Sequence, residues 1–269
     1  ATNTISNVVF IVDESGSMRT EQDFLKDTVI GDLDAGLDGA GVTDRSYGVV
    51  GYGGPNSGAP RQFVPGLQDA AATKTTLNSL VTSGGFEDGW QAIDFALNAF
   101  SFTAGAAINF VLVTDEDRDN GDNSLTFGNV LQSLTSENIL LNAIVNNRFA
   151  DGKGDSAIGI DDQGDAYLAN GSGGFTTTTG GVAGSGAGST TADYVDLALA
   201  TGGAAWDLNI LRSGGNNATS FGNAFIDIKV KEITTQPPST PVIPLPAAGW
   251  LMITGLGGLA ALRRRRKAA

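Results

Sequence analysis

Asp13, Ser15 and Ser17 are spaced as Asp-x-Ser-x-Ser on the pentapeptide Asp13–Glu14–Ser15–Gly16–Ser17, directly after the apolar run Asn7–Val12. One carboxylate and two hydroxyls on so short a loop can face a single cation, and Gly16 permits the sharp backbone path this needs. A second apolar run, Asn109–Thr114, leads into Asp115. If both runs are strands of one parallel sheet, both carboxylates lie at strand carboxyl ends, where such sheets bind their ligands. The chain has no histidine and no cysteine. That excludes His-assisted nucleophiles, disulfides and the common zinc ligand sets. What remains is a hard cation held by oxygen: Mg²⁺, Ca²⁺ or Mn²⁺. No general base stands beside a nucleophile, so a binding role is expected and an enzyme is not. Taken alone, the pentapeptide also reads as an ordinary turn or helix cap, where Ser and Asp are favoured.

The elements that must position these residues alternate along the chain. Asn7–Val12, Tyr47–Tyr52, Asn109–Thr114 and Ile139–Val145 read as buried strands, with Arg61–Val64 as a short edge strand. Glu21–Leu37 carries Phe24, Leu25, Val29, Leu33 and Leu37 at helical spacing. Ala70–Val81, Gly89–Phe100, Ser124–Ser136, Asp193–Ala200 and Ser220–Glu232 read as further helices, and Ala205–Leu211 as a late strand. Strands alternating with helices predict an α/β fold, a doubly wound, mostly parallel sheet with helices on both faces. Residues 146–191 depart from this pattern as a Gly/Thr-rich insertion. A small hairpin is expected around Asp161–Gly164, and the tract Asn170–Thr191 reads as low complexity and mobile.

Three segments, VVFIVDESGSM (Val8–Met18), GGFEDGWQAI (Gly84–Ile93) and NFVLVTDED (Asn109–Asp117), together resemble the von Willebrand factor A family, and LATGGAAWDL (Leu199–Leu208) looks like its late strand entry. The resemblance covers roughly residues 5–233. It implies a metal-ion-dependent adhesion site with Asp13, Ser15 and Ser17 as the first ligand loop and Asp115 as a further ligand, often through water. The family usually supplies a Thr from the loop before its third helix, and this chain has none there. Counting back from Ala92, the ligand place falls on Glu87, with Asp88 next to it. An added carboxylate favours Ca²⁺ or a tighter resident ion, and weakens the pull on an outside anion. In that family a carboxylate of a protein or matrix partner fills the open coordination position, so the ion bridges and does not catalyse. The alternative is a structural matrix component in which the metal only stabilises the fold.

Other acidic stretches are weaker signals. Asp115–Asn123 fails the calcium-loop spacing of an EF-hand, because Gly121 falls one place late and Thr126 stands where Glu is needed. Asp151, Asp155, Asp161, Asp162 and Asp165 offer oxygen for a second Ca²⁺ but equally suit a solvated loop. Gly152–Ser156 lacks the phosphate-loop pattern. Trp90 and Trp206 read as core aromatics.

Charge and tail bear on location. The net charge is −13, and five of the 16 basic residues form the run Arg263–Lys267, so the rest of the chain holds 11 basic against 29 acidic residues. So acidic a body argues against nucleic acid as partner. After a Pro/Thr linker at 234–243, Ala247–Leu262 is an uncharged, mostly apolar run. As a helix it would be about 24 Å long, short of the ~30 Å hydrocarbon core unless Leu245 and snorkelling flanks contribute. The basic run would stay cytoplasmic, leaving the body outside. The segment Pro244–Leu245–Pro246–Ala247–Ala248–Gly249, followed by the apolar run and the arginines, resembles a sorting signal of the PEP-CTERM type in its Val-Pro-Leu-Pro-Ala variant, with Ile243 where Val is usual. This resemblance implies a Gram-negative bacterium, processing by the membrane transpeptidase exosortase, and export to the cell surface or extracellular matrix with a membrane anchor before processing. Ala1 is expected to be a mature N-terminus left by signal removal.

Overall fold

The computed structural model describes residues 2–239. The strands are β1 (Ile5–Asp13), β2 (Asp44–Tyr52), β3 (Arg61–Gln62), β4 (Ala107–Thr114), β5 (Leu140–Val145), β6 (Asn147–Ala150), β7 (Ser156–Ala157), β8 (Gly159–Asp161), β9 (Asp165–Ala169), β10 (Phe175–Thr179), β11 (Val182–Gly186) and β12 (Ala204–Asp207). The helices are α1 (Arg19–Phe24), which runs through a π-helical turn at Leu25–Val29 into α2 (Ile30–Gly39), then α3 (Ala70–Leu77), α4 (Gly89–Ala99), α5 (Phe127–Ser136), α6 (Asp196–Ala200), α7 (Leu208–Arg212) and α8 (Gly215–Thr235).

Nine strands form one sheet in the order β10-β9-β8-β12-β5-β4-β1-β2-β3. The five central strands, β12 to β2, are parallel, and the flanking strands add antiparallel pairs at both edges. Every residue of β4 is buried, as a parallel strand covered on both faces requires. Alternate residues of β1 face opposite layers. Val9 and Ile11 pack with Trp90, Ile93, Val130 and Leu197 from α4, α5 and α6. Val8, Phe10 and Val12 pack with Leu25, Leu33, Leu77, Phe221 and Phe225 from the helices opposite. From β1 the chain goes to β2 on one side and later to β4 on the other, so the strand order reverses between β1 and β4. A crevice at the carboxyl ends of these strands is where an open α/β sheet binds its ligand.

Several boundaries differ from the sequence expectation. The tract at 170–191 is not structureless. β10 pairs antiparallel with β9, and β11 joins β6 and β7 in a separate three-stranded sheet. The Thr176–Thr179 run supplies β-branched residues that suit a strand, and glycine content hid that signal. The expected strand Ala205–Leu211 stops at Asp207, whose side chain accepts a hydrogen bond from the Asn209 amide (2.9 Å) and N-caps α7. α3 ends at Leu77 rather than Val81, and α5 begins at Phe127 behind a Thr126–Asn129 capping box. α8 is longer than expected at both ends and takes in Thr234 and Thr235, the first residues of the expected linker. The hairpin around Asp161–Gly164 forms between β8 and β9. No helix among the described residues is long and apolar enough to cross a membrane. The apolar run 247–262 and the sorting motif lie outside the described residues.

Candidate metal centre

β1 delivers Asp13 to the sheet's carboxyl edge and β4 delivers Asp115 one residue beyond its own end. Asp13 is fully buried. Its Oδ1 accepts from the Ser15 amide (2.7 Å) and its Oδ2 from the Thr114 hydroxyl (2.9 Å). The first contact folds the loop back on itself, and the second ties β1 to β4 at the strand crevice. Ser15 Oγ lies 3.4 Å from Ser17 Oγ, and Ser17 Oγ donates to Asp115 Oδ1 at 3.0 Å. The structure thus brings Asp13, Ser15, Ser17 and Asp115 into one cluster. Glu14, between them in sequence, points the other way. It is fully buried against the Arg61 guanidinium (Nε–Oε2 2.8 Å) and the Val81 amide (2.8 Å), and so pins the loop to its neighbours.

Glu87 and Asp88 have different surroundings. Asp88 N-caps α4 through the Trp90 and Gln91 amides and forms a two-pronged pair with Arg118 (2.7 and 3.1 Å). Arg118 in turn lies over the Trp90 ring, 4.1 Å from its centroid. Glu87 is held by its backbone: its amide donates to Asp119 Oδ2 (2.7 Å) and its carbonyl accepts from the Asp119 amide (2.8 Å). Its side chain faces Asp13 across Gly53. A Cβ on Gly53 would stand 2.8 Å from Asp13 Oδ1 and 3.0 Å from Glu87 Cγ. Gly53 has φ +70°, and a Cβ on Gly84 would meet the Gly53 carbonyl oxygen, so the loop carrying Glu87 rests directly on the loop leaving β2.

The electrostatics follow from this crowding. Burial pushes the Asp13 carboxyl up to about 7, against the lowering hydrogen bonds of Ser15 and Thr114. Glu87 is pushed up to about 8 by burial first, then by the charges of Asp13 and Asp119. Tyr52, opposite Asp13 in the parallel register, is fully buried, and its hydroxyl has no hydrogen-bond partner among the described residues.

These residues fit a small hard cation in their chemistry. Two carboxylates and two hydroxyls are oxygen donors, and the Asp13 carboxyl, raised by burial, gains from a nearby positive charge. Among the described residues no three carboxylates converge as a cation cage. The donor set is therefore mixed, and hydroxyls must contribute.

Arg212, at the end of α7, also reaches this cluster. Its Nη2 donates to Asp115 Oδ2 (2.7 Å) and to the Ser17 carbonyl (3.2 Å), and its Nε and Nη2 grip Glu21 on α1 (2.6 and 3.2 Å). No local pattern marks it, because its partners are 97 and 191 residues away. Thr114 did carry a signal, as a polar residue closing an otherwise apolar strand end.

The other acidic groups have local roles. Asp151 Oδ1 accepts from the Lys153 and Asp155 amides, and Asp161 from the Gln163 and Asp165 amides and the Tyr167 hydroxyl. In the loop after Asp115, Asp117 accepts from the Ser189 amide and Asp122 from Ser124. Trp206 is fully buried, with its indole N–H on Asn142 (2.9 Å), and Trp90 is buried with its N–H on the Asp193 carbonyl (2.8 Å).

No family profile and no curated protein matches the sequence. Among solved structures, the chain is similar to a von Willebrand factor type A protein from Catenulispora acidiphila (TM-score 0.41, 23% identity, 53% of this chain and 33% of that one). It is also similar to an aerotolerance-related membrane protein from Bacteroides fragilis (0.45, 16%, 84% and 99%) and to the conserved hypothetical protein BatB from Bacteroides thetaiotaomicron (0.48, 16%, 84% and 98%). The chain spans only 33% of the length of the Catenulispora protein. Its structural neighbours therefore include von Willebrand factor A and BatB proteins.

Proposed function

We propose that Asp13, Ser15, Ser17 and Asp115 hold a divalent cation, Mg²⁺ or Ca²⁺ with Mn²⁺ as a further occupant, that the Glu87 carboxylate turns in as a further ligand when the ion binds, and that the site captures a carboxylate of a protein or matrix partner. The observation that carries this reading is the contact of Ser17 Oγ with Asp115 Oδ1 across 98 residues of sequence, beside a buried Asp13, at the reversal of strand order. A bound cation supplies an electrophilic centre that attracts an outside anion. The chain's own residues do the rest. Asp13 is oriented by the Ser15 amide and the Thr114 hydroxyl. Ser15 and Ser17 offer neutral oxygens, which leave positive charge to be satisfied from outside. Glu87 adds a carboxylate and tempers that pull. Asp88, engaged by Arg118 and the α4 amides, is left as the cap.

The role is binding rather than catalysis. The tail motif at 241–269 supports an exported protein of a Gram-negative envelope or matrix, anchored in the membrane through 247–262 until exosortase processes it. The test is retention of the protein on immobilised polyglutamate in Mg²⁺ and after chelation. Retention in Mg²⁺, release by EDTA and loss in Asp13→Ala are expected. If Mg²⁺ raises the melting temperature but retention ignores EDTA, the metal only stabilises the fold.

A further inference from the structure

We propose that Arg212 is a built-in competitor for the cation: its guanidinium holds Asp115 and thereby sets how tightly the Asp13–Ser15–Ser17–Asp115 site takes a divalent ion. This rests on the cation reading above and names a control on the same site. Arg212 Nη2 lies 2.7 Å from Asp115 Oδ2, while Ser17 donates to the other oxygen, Oδ1. Both oxygens of this carboxylate are thus engaged inside the protein, one of them by a full positive charge. A dication approaching Asp115 meets that charge and must displace or share the contact.

The geometry suits an exchange. Arg212 Nε stays on Glu21 Oε1 at 2.6 Å, and Glu21 is fully buried, so the guanidinium keeps an anchor when Nη2 leaves Asp115. The Arg212 side chain is 29% exposed, which gives the released end somewhere to turn. Its position is fixed by α7, a five-residue helix capped by Asp207 at its start. A guanidinium does not deprotonate in a protein, so the competition persists across the physiological pH range.

The test is calorimetric titration of Mg²⁺ into the chelator-treated full chain, wild type beside Arg212→Gln, Arg212→Lys and Asp13→Ala. Arg212→Gln is expected to bind about tenfold more tightly than wild type, a gain of ~1.4 kcal/mol. Arg212→Lys, which keeps the charge, should bind no more tightly than wild type, and Asp13→Ala should not bind. A structural role for Arg212 moves the Gln variant the other way. Wild-type binding with no gain in Arg212→Gln overturns this proposal and leaves the cation reading standing. Absence of Mg²⁺ binding in both overturns the two together. Should the Gln variant fail to fold, ¹⁵N NMR of the wild-type arginine side chains decides. Saturating Mg²⁺ should speed rotation about the Arg212 Cζ–Nη2 bond, and an unchanged rate overturns the proposal.

Discussion

Asp88 commits both carboxylate oxygens inside the protein, to Arg118 and to the first amides of α4, and its side chain is 1% exposed. Removing it strands a guanidinium whose side chain is 7% exposed. Asp88→Ala should therefore cost about 3–5 kcal/mol in unfolding free energy, read from denaturant midpoints. Glu87, its neighbour, has no cationic partner among the described residues and faces Asp13. Glu87→Ala should leave stability unchanged or raise it in the absence of divalent ions, while weakening cation binding. A large loss of stability in Glu87→Ala would assign that carboxylate to the fold and not to the ion. The sequence brought attention to this pair but could not separate the two acids, because what divides them is Arg118, some 30 residues further on.

At the scale of elements, the site exists because the loops leaving β1, β2 and β4 meet the loop that runs from α3 to α4. The tightest contact is backbone on backbone: a Cβ on Gly84 would fall 1.7 Å from the Gly53 carbonyl oxygen. Gly84→Ala should push the two loops apart, costing about 1–3 kcal/mol and loosening Glu87 from Asp13, so cation affinity should fall with stability. Beneath the sheet, α8 buries Lys229 completely, with Nζ 3.0 Å from Asn109 Oδ1 and 2.6 Å from Glu232 Oε2. Burial pushes this ammonium below the usual lysine value of 10.5. The unfolded chain then binds the proton more firmly than the folded chain, so this residue's contribution is present above 10.5 and is lost as pH falls through the folded value. Lys229→Met should remove that slope, visible when denaturant midpoints of the variant and wild type are compared as pH is lowered from 10.5.

The elements legible in the sequence were those whose signal is local. The strand ending in Asp13, the strand ending beside Asp115 and the helix after Ser17 each carry their pattern within one short contiguous segment. Glycines mask β10, a Thr-rich strand, and β11, whose own five residues include two of them. The end of β12 is hidden because Asp207, the cap of α7, lies in the run Trp206–Asp207–Leu208–Asn209–Ile210, whose apolar–polar alternation reads as a strand. Arg212 joins the site only through the return of the chain after β12, and nothing in its immediate sequence announces that.

For the molecule as a whole, the chain outside the basic run carries 29 acidic against 11 basic residues, and so acidic a body attracts cations. Cation affinity should therefore weaken as monovalent salt is raised toward about 1 M, where screening shortens to ~3 Å. Titrations at low and high salt check this. Affinity that ignores salt would mean that contact chemistry alone sets it. The most direct test of the central claim is calorimetric titration of Mg²⁺, Ca²⁺ and Mn²⁺ into the chelator-treated full chain, with Asp13→Ala and Glu87→Ala in parallel. The account predicts one ion per wild-type chain, none in Asp13→Ala and weaker binding in Glu87→Ala. A wild-type chain that binds no divalent ion, or an Asp13→Ala chain that binds one as tightly, would contradict it.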